Sequence, residues 1–424
     1  MYGETTCGTQ SRYTIIYIYI NHTGMKSKIF KSTLFWLIAG LVIGICAGLI
    51  LNAQAMKPVL AIRQICGQII FFIVPLIIVG FIAPSISSLK GNATKALLLA
   101  FVIAYLSTEG ASLFAIGISR GILPLLSIGQ AEAARELPEM VFNLQIEPVM
   151  GVMTALVLAI FLGLGAFWTR SETWNKLLLD FREIVLLLVK KILIPVLPFY
   201  IAANFCTLTY QGMLPQMKVF LLIILIAIGC HFIWLTVLYL IASLYSGKNG
   251  WKVVRHYGPA YLTALGTMSS AATLGVALDC AKKSRQLDDD AVDFCIPLFN
   301  NIHLCGSALT EVFFVCAVSN VLYGALPTTG SLLLFIVLLG FFALGAPGVP
   351  GGTVMASLGL VLSVLMVPSA SGELMNFTDA GTSLLITIFA LQDSFGTACN
   401  ITGDGALTMI VNKRIRKTES GFSN

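Results

Sequence analysis

Long apolar segments dominate this sequence and restrict the folds that it can adopt. The segments at residues 32–53 and 217–246 are almost free of charged side chains. A helix of about 20 apolar residues is long enough to cross the hydrocarbon core of a bilayer. Of the 424 residues, 57% are hydrophobic and 11% are charged, whereas about 25% of the residues in soluble domains are charged. The sequence therefore predicts an all-α, polytopic membrane protein.

The apolar segments change character in the C-terminal half of the chain. Six plain spans come first, at about 33–52, 58–88, 94–119, 147–168, 183–208 and 217–246. Two segments rich in glycine, proline or small hydroxyl residues follow, at 258–279 and 330–368, and each precedes another apolar span, at 291–323 and 379–412. Paired interruptions of this kind are typical of re-entrant hairpins that meet at a site near the membrane midplane. We predict eight transmembrane helices plus two re-entrant helical hairpins.

Basic residues fall in alternate loops, so the net charge of +6 indicates orientation in a membrane and not nucleic-acid binding. One set of loops is rich in cations and carries Lys26, Lys28, Lys31, Lys90, Lys95, Arg170, Lys176, Arg182, Lys248, Lys252, Arg255, Lys282, Lys283, Arg285 and the "KRIRK" tail. The other set carries only Lys57, Arg63, Arg120, Arg135 and Lys218. By the positive-inside rule, the first set and both termini are cytoplasmic, and the chain lies in the cell membrane.

Polar side chains form a stripe on the last apolar span, which includes "LQDSFGTACNITGDGALTMIV" at 391–411. On an α-helix, Thr397, Asn400 and Asp404 lie within about 40° of Asp393, over a length of about 16 Å. Carboxylates are costly in hydrocarbon, so the stripe faces a cavity or the protein interior. Its oxygen ligands suit a substrate ammonium, Na⁺ or a proton, and not a soft metal. A polar seam that only joins two helices is the alternative, but such seams seldom use two aspartates.

Three motifs resemble those of the dicarboxylate/amino acid:cation symporter family, of the glutamate-transporter type. They are "TMSSAATLG" at 267–275, "GAPGVPGG" at 345–352 and "QDSFGTACNITGD" at 392–404. The resemblance covers residues 33–412, and "LQDS" looks closest to the bacterial serine/threonine symporters. It implies a secondary active symporter that imports a small amino acid, forms a homotrimer in the lipid bilayer, and needs no cofactor beyond Na⁺ or H⁺ as coupling ions.

The resemblance also divides the chain into parts. We hypothesise that residues 1–24, which lack the features of a signal peptide, are a non-native or disordered extension. Residues 25–255 would hold helices 1–6 with the scaffold by which family members trimerise. Residues 256–412 would form a transport core of hairpin 1, helix 7, hairpin 2 and helix 8 that moves like an elevator, and residues 413–424 a basic cytoplasmic tail.

Site residues follow from the positions that match the family motifs. Asp393 would hold the substrate amino group, Asn400 the substrate carboxylate, and Asp404 together with Asn400 a cation. Further substrate-contacting positions in the two hairpins and the last helix are Ser269, Ser270, Val349, Gly351 and Thr397.

The sequence departs from the acidic-substrate members of the family at the two places where they carry an arginine. These positions are Gly396 and Met268 here. Neither residue can neutralise a second substrate carboxylate, whose burial without a partner costs several kcal/mol. A neutral amino acid such as serine, threonine or alanine is therefore the predicted substrate, and a dicarboxylate or an acidic amino acid is the alternative.

A second departure concerns an ion site, where the family motif "NMDGT" reads "HLCGS" at 303–307. His303 and Cys305 replace the family's Asn and Asp, while Glu109 stands on the third span where the family has a small hydroxyl residue of the same site. An intramembrane glutamate is a functional candidate by default, so we hypothesise that Glu109 restores the missing negative charge of this ion site and shares a proton or a cation with His303. Glu311 is a second candidate protonation site, and a purely hydrogen-bonding role for Glu109 remains open.

Two other classes of function are alternatives to transport: a membrane enzyme and a channel. Cys305 and His303 are close in sequence, as in nucleophilic enzymes, but residues two apart on a helix point to different faces, and no other activated nucleophile is apparent. A channel is the other possibility, because members of the family leak anions. We predict that the chain is not an enzyme.

Overall fold

The computed structural model describes residues 33–87, 95–126, 135–140, 146–212, 214–343, 346, 352–368, 373–377 and 379–420. The first 24 residues lie outside the described residues, so the hypothesis that they are an extension stays a prediction. Within the described residues the chain is nearly all helical, with one antiparallel pair of two-residue strands, β1 (Val367–Pro368) and β2 (Leu374–Met375).

The first part of the chain consists of long apolar helices. Their bounds are α1 Thr33–Ile50, α2 Ala53–Ser87, α3 Lys95–Ile122, α4 Val152–Thr169, α5 Glu172–Tyr210 and α6 Leu214–Ser246. A π-helical segment interrupts α5 at Val189–Leu193. Helix α1 packs against the second half of α5, and α2 packs against both α4 and α5.

The second part alternates short helices with longer ones. It contains α7 Trp251–Val254, α8 Gly258–Thr267, α9 Ser270–Lys283, α10 Asp289–Ile302, α11 Cys305–Tyr323, α12 Thr329–Ala343, α13 Gly352–Val364 and α14 Asp379–Ser420. The predicted span at 291–323 is therefore two helices, because His303 and Leu304 leave helical geometry between α10 and α11.

Six segments of the described residues are long and apolar enough to cross a membrane: Ala53–Pro84, Leu98–Leu125, Glu172–Tyr210, Val219–Ser246, Asp289–Tyr323 and Leu384–Arg414. The 18-residue helices α1 and α4 contain the shorter apolar segments Phe35–Ile50 and Val157–Thr169. This arrangement confirms the prediction of an all-α polytopic membrane protein.

Two pairs of short helices correspond to the two interrupted segments. We call α8 with α9 the first hairpin and α12 with α13 the second hairpin, since the helices of each pair pack against one another. Their 10, 14, 15 and 13 residues give lengths of about 15–22 Å at 1.5 Å per residue, less than the roughly 30 Å of a bilayer core. The lengths agree with re-entry, which stays a prediction because the structure contains no bilayer.

Helix α14 runs through the middle of the C-terminal half and packs against α6, α8, α10 and α11. It continues to Ser420, so the predicted boundary between core and tail at residue 412 does not end the helix. The segment 413–420 contains no glycine or proline that would end the helix.

Candidate functional site

The break between α10 and α11 creates a helix start inside the protein. The first N–H groups of a helix have no partner within it. Oδ1 of Asn400, on α14, accepts hydrogen bonds from the backbone N–H groups of Gly306 at 2.7 Å and Ser307 at 3.2 Å. Nδ2 of Asn400 donates to the hydroxyl of Ser307 at 2.9 Å. Asn400 therefore caps α11 from a different helix.

His303, in the same break, joins three helices. Its Nδ1 lies 2.9 Å from Oδ1 of Asp404 on α14, and its Nε2 lies 2.9 Å from the hydroxyl of Ser107 on α3. An ionised aspartate only accepts hydrogen bonds, so with Asp404 ionised Nδ1 carries the hydrogen of that bond. Oδ2 of Asp404 is buried and has no hydrogen-bond partner among the described residues.

Helices α11 and α14 approach closely beside this network. A Cβ atom on Gly306 would lie 2.4 Å from Cβ of Cys399 and 2.6 Å from the carbonyl oxygen of Gly396, distances that leave no room for a side chain. Nε2 of His231, on α6, lies 3.1 Å from the Gly306 carbonyl and 2.7 Å from the Thr310 hydroxyl. The start of α11 is thus held from two sides.

The predicted substrate residues of α14 are buried on one helix. Asp393, Thr397 and Asn400 are each less than a tenth exposed. Both arms of the first hairpin and the second arm of the second hairpin pack against α14.

The hairpin positions differ in what the structure shows of them. Ser269 is half-buried, and its hydroxyl accepts a hydrogen bond from Ala272 N at 3.3 Å, which caps α9. Ser270 is buried in the first turn of α9. Val349 and Gly351 lie outside the described residues.

Glu109 does not meet His303, contrary to the hypothesis from the sequence. Its carboxylate instead lies against the first arm of the second hairpin, where a Cβ atom on Gly340 would be only 2.1 Å from Oε1. Ser107 makes the contact with His303. Residues two apart on an α-helix are separated by about 200° around its axis. The side chains of Ser107 and Glu109 therefore point to opposite sides of α3.

The two other candidates for altered ion chemistry are fully buried on α11. The thiol of Cys305 interacts with His303 and with Cys399. Glu311 interacts with Ser357 of the second hairpin and is close enough to Asp393 for the two carboxyl groups to interact electrostatically. Glu311 thus lies between the stripe and the second hairpin.

Sequence reasoning did not find Ser107, His231 or Ser307. Ser107 and His231 belong to none of the quoted motifs, and Ser307 ends the "HLCGS" motif, in which His303 and Cys305 are the replaced positions. Serine and histidine within apolar helices are usually structural. A signal for Ser107 exists only in helical periodicity, which places it on the opposite face from Glu109.

Comparison with known proteins decides the family. A sequence profile described as the sodium:dicarboxylate symporter family matches residues 34–414. The chain belongs to this family. The resemblance inferred from the three motifs is thereby confirmed, and with it the prediction that the chain is a membrane symporter type and not an enzyme.

Relatives of this chain carry names of amino acid transporters. Human excitatory amino acid transporter 2 is 24% identical over 285 residues, which are 64% of this chain and 47% of the relative. Mouse excitatory amino acid transporter 3 is 30% identical over 183 residues, 43% of this chain and 33% of the relative. The matched parts therefore span between a third and a half of the length of these relatives.

Proposed function

We propose that this symporter imports a small neutral amino acid, such as serine, threonine or alanine, and couples its entry to a gradient of Na⁺ or H⁺. The observation that carries the proposal is the buried stripe of Asp393, Thr397, Asn400 and Asp404 on a helix packed between two short hairpins. A carboxylate, a hydroxyl and an amide suit the ammonium and carboxylate groups of one zwitterion.

The charge of the surroundings favours a neutral substrate. Of the described residues, no lysine or arginine side chain is buried. The buried bases are His231 and His303, which already contact Gly306, Thr310, Ser107 and Asp404. A second substrate carboxylate would therefore be buried without a cation, at a cost of several kcal/mol.

The coupling ion would bind near Asp404. Its Oδ2 is the oxygen available to a cation, since Oδ1 contacts His303. Glu109 and Glu311 are the proposed protonation sites, because both are intramembrane carboxylates in contact with the second hairpin. Closure of the second hairpin would thus depend on whether Glu109 and Glu311, which contact it, are protonated.

Movement of substrate across the membrane would follow the elevator scheme. The hairpins, α10, α11 and α14 would form the mobile unit, and a scaffold drawn from α1–α6 would hold it in a homotrimer with both termini cytoplasmic. In this scheme the two short hairpins would move together with the site as one rigid unit. A channel would instead need a continuous pore.

Uptake into proteoliposomes tests the function. Radiolabelled serine, threonine, alanine, aspartate and succinate would be compared under Na⁺ and pH gradients imposed separately. We expect saturable serine or alanine uptake that collapses with one gradient and is lost in Asp393→Asn, whereas the exposed Asp293→Asn leaves it unchanged. Preferred uptake of aspartate or succinate would support the acidic alternative that the family and relative names favour, and gradient-independent flux would indicate a channel.

A further inference from the structure

A groove of about 600 Å³ lies at the surface between α6 and the first arm of the first hairpin. Its walls are apolar and aromatic and include Phe232, Leu240 and Tyr261. Phe232 and Leu240 are more than half exposed, so the groove opens to the surroundings of the protein. Pockets of about 300–1,000 Å³ with such walls bind small molecules, and these walls suit a hydrocarbon chain.

Basic side chains gather at the end of α6 beside this groove. They come from the loop after α6 and from the end of α14: Lys248, Lys252, Arg255, Lys413 and Arg414. Arg255 itself lines the groove, next to Trp251, and Nε of Arg414 donates to the hydroxyl of Tyr245 at 3.1 Å. The chain contains no aspartate or glutamate between Glu183 and Asp279. Every charged residue in α6 and in the segment from its end to the first hairpin is therefore basic.

Two of these cations have no acidic partner. Of the described residues, neither Lys252 nor Arg255 forms an ion pair, and the one contact of the Arg255 side chain is to the ring of His256, at 3.3 Å. Both are exposed. A phosphate group could reach them without displacing any partner.

The floor of the groove touches the site helix. Tyr239 and Tyr257 line it, and the Tyr239 hydroxyl donates to the carbonyl of Thr402 at 2.8 Å. A Cβ atom on Gly405 would lie 2.5 Å from the Tyr239 hydroxyl oxygen and 2.8 Å from the Tyr257 ring. An occupant of the groove therefore rests on side chains that contact α14 on both sides of Asp404.

We propose that this groove binds one anionic phospholipid of the leaflet at the basic end of α6. An acyl chain lies along the stacked rings of Phe232 and Tyr261, whose centroids are 5.8 Å apart, and the phosphate lies at Arg255 and Lys252. Basic pockets between membrane helices bind anionic headgroups, and basic segments beside a membrane are attracted to the anionic cytoplasmic leaflet. Tryptophan prefers the depth of the headgroups, where Trp251, which is 71% exposed, stands beside the guanidinium.

Quenching of Trp251 fluorescence tests the proposal without a transport assay, so its outcome is independent of the proposed function. The full chain is reconstituted in phosphatidylcholine that contains increasing mole fractions of either brominated phosphatidylglycerol or brominated phosphatidylcholine, with the same series for both lipids. The Trp251 signal is the difference between the wild type and Trp251→Phe. We expect the anionic lipid to quench Trp251 at an about fivefold lower mole fraction than the zwitterionic lipid, the order expected from one basic residue at a membrane surface.

Charge variants provide the controls. Arg255→Gln with Lys252→Gln should remove the preference, whereas Lys176→Gln, an exposed cation elsewhere on the chain, should keep it. Equal quenching of the wild type by both lipids would overturn the proposal, since the groove would then hold any surrounding lipid. If neither lipid quenched Trp251, the proposal would also be wrong, because the groove would then be covered by protein and not by lipid.

Discussion

Nδ1 of His303 lies 2.9 Å from Oδ1 of Asp404, and both side chains are almost completely buried. The family resemblance implies a Na⁺ site at Asp404, and under the proposed function the imidazole would occupy one side of the carboxylate that binds the cation. The Ser107 hydroxyl fixes the other ring nitrogen. A cation bound at Asp404, as proposed, would therefore approach from the side of Oδ2.

Removal of the imidazole should destabilise the protein. His303→Leu leaves a buried carboxylate without its partner, and loss of one member of a buried pair costs about 3–5 kcal/mol. His303→Asn retains a hydrogen-bond donor and should cost less. Chemical denaturation in detergent measures both, with His256→Leu as the control on a half-buried loop histidine. Equal losses for the leucine and asparagine variants would contradict the role of the hydrogen bond.

Asn400 should contribute to stability as well as to the proposed substrate contact. Asn400→Ala leaves the N–H groups of Gly306 and Ser307 buried without an acceptor, and each orphaned group costs about 1–3 kcal/mol. We expect a loss of about 2–4 kcal/mol in the same denaturation experiment. Asn301→Ala is the matched control, because the exposed Asn301 side chain bonds, among the residues that the structure describes, only to the carbonyl of Pro297 in its own helix. A loss no larger than that of the control would exclude the capping role.

The stripe on α14 could be predicted from sequence because helical periodicity alone places Asp393, Asn400 and Asp404 on one line. The cap formed by Asn400 could not, because it depends on a helix break at His303 and Leu304 that contains neither glycine nor proline. The break is stabilised by tertiary contacts to α3 and α14, which a local pattern does not reveal.

The error over Glu109 has a different origin. Position-by-position comparison with the family motif assigned Glu109 to the ion site beside His303. The orientation of α3 about its own axis determines which of its side chains reaches His303, and the side chain that does so is Ser107. Glu109 was left to face Gly340 of the second hairpin.

The contact between Glu109 and Gly340 should appear as coupling between mutations. In Gly340→Ala, the new methyl group would lie 2.1 Å from the Glu109 carboxylate and 2.7 Å from the Tyr105 ring, an overpacking that costs about 1–3 kcal/mol. Glu109→Ala should recover part of this loss, with an interaction energy of at least about 0.5 kcal/mol in a double-mutant cycle. Gly330→Ala, where the added Cβ meets nothing within 4 Å, is the control. Additive effects at positions 109 and 340 would mean that the two residues do not touch.

The neutral-substrate proposal can be tested by supplying the missing cation. Gly396 lies on α14 between Asp393 and Asn400, and its added Cβ would be 3.3 Å from the backbone N and Cα of Ser307, so the start of α11 must move by a few tenths of an ångström to admit a Cβ. Gly396→Arg brings a guanidinium beside the stripe, where it can pair with a second substrate carboxylate. We expect this variant to gain aspartate uptake and to lose at least about tenfold in serine uptake, since an unpaired buried charge costs several kcal/mol when the substrate is neutral.

Gly396→Met has a similar length without the charge and should lose serine uptake without gaining aspartate uptake. Equal aspartate uptake by the wild type and the arginine variant would show that this chain neutralises an acidic substrate by other means, and the neutral-substrate proposal would then be wrong.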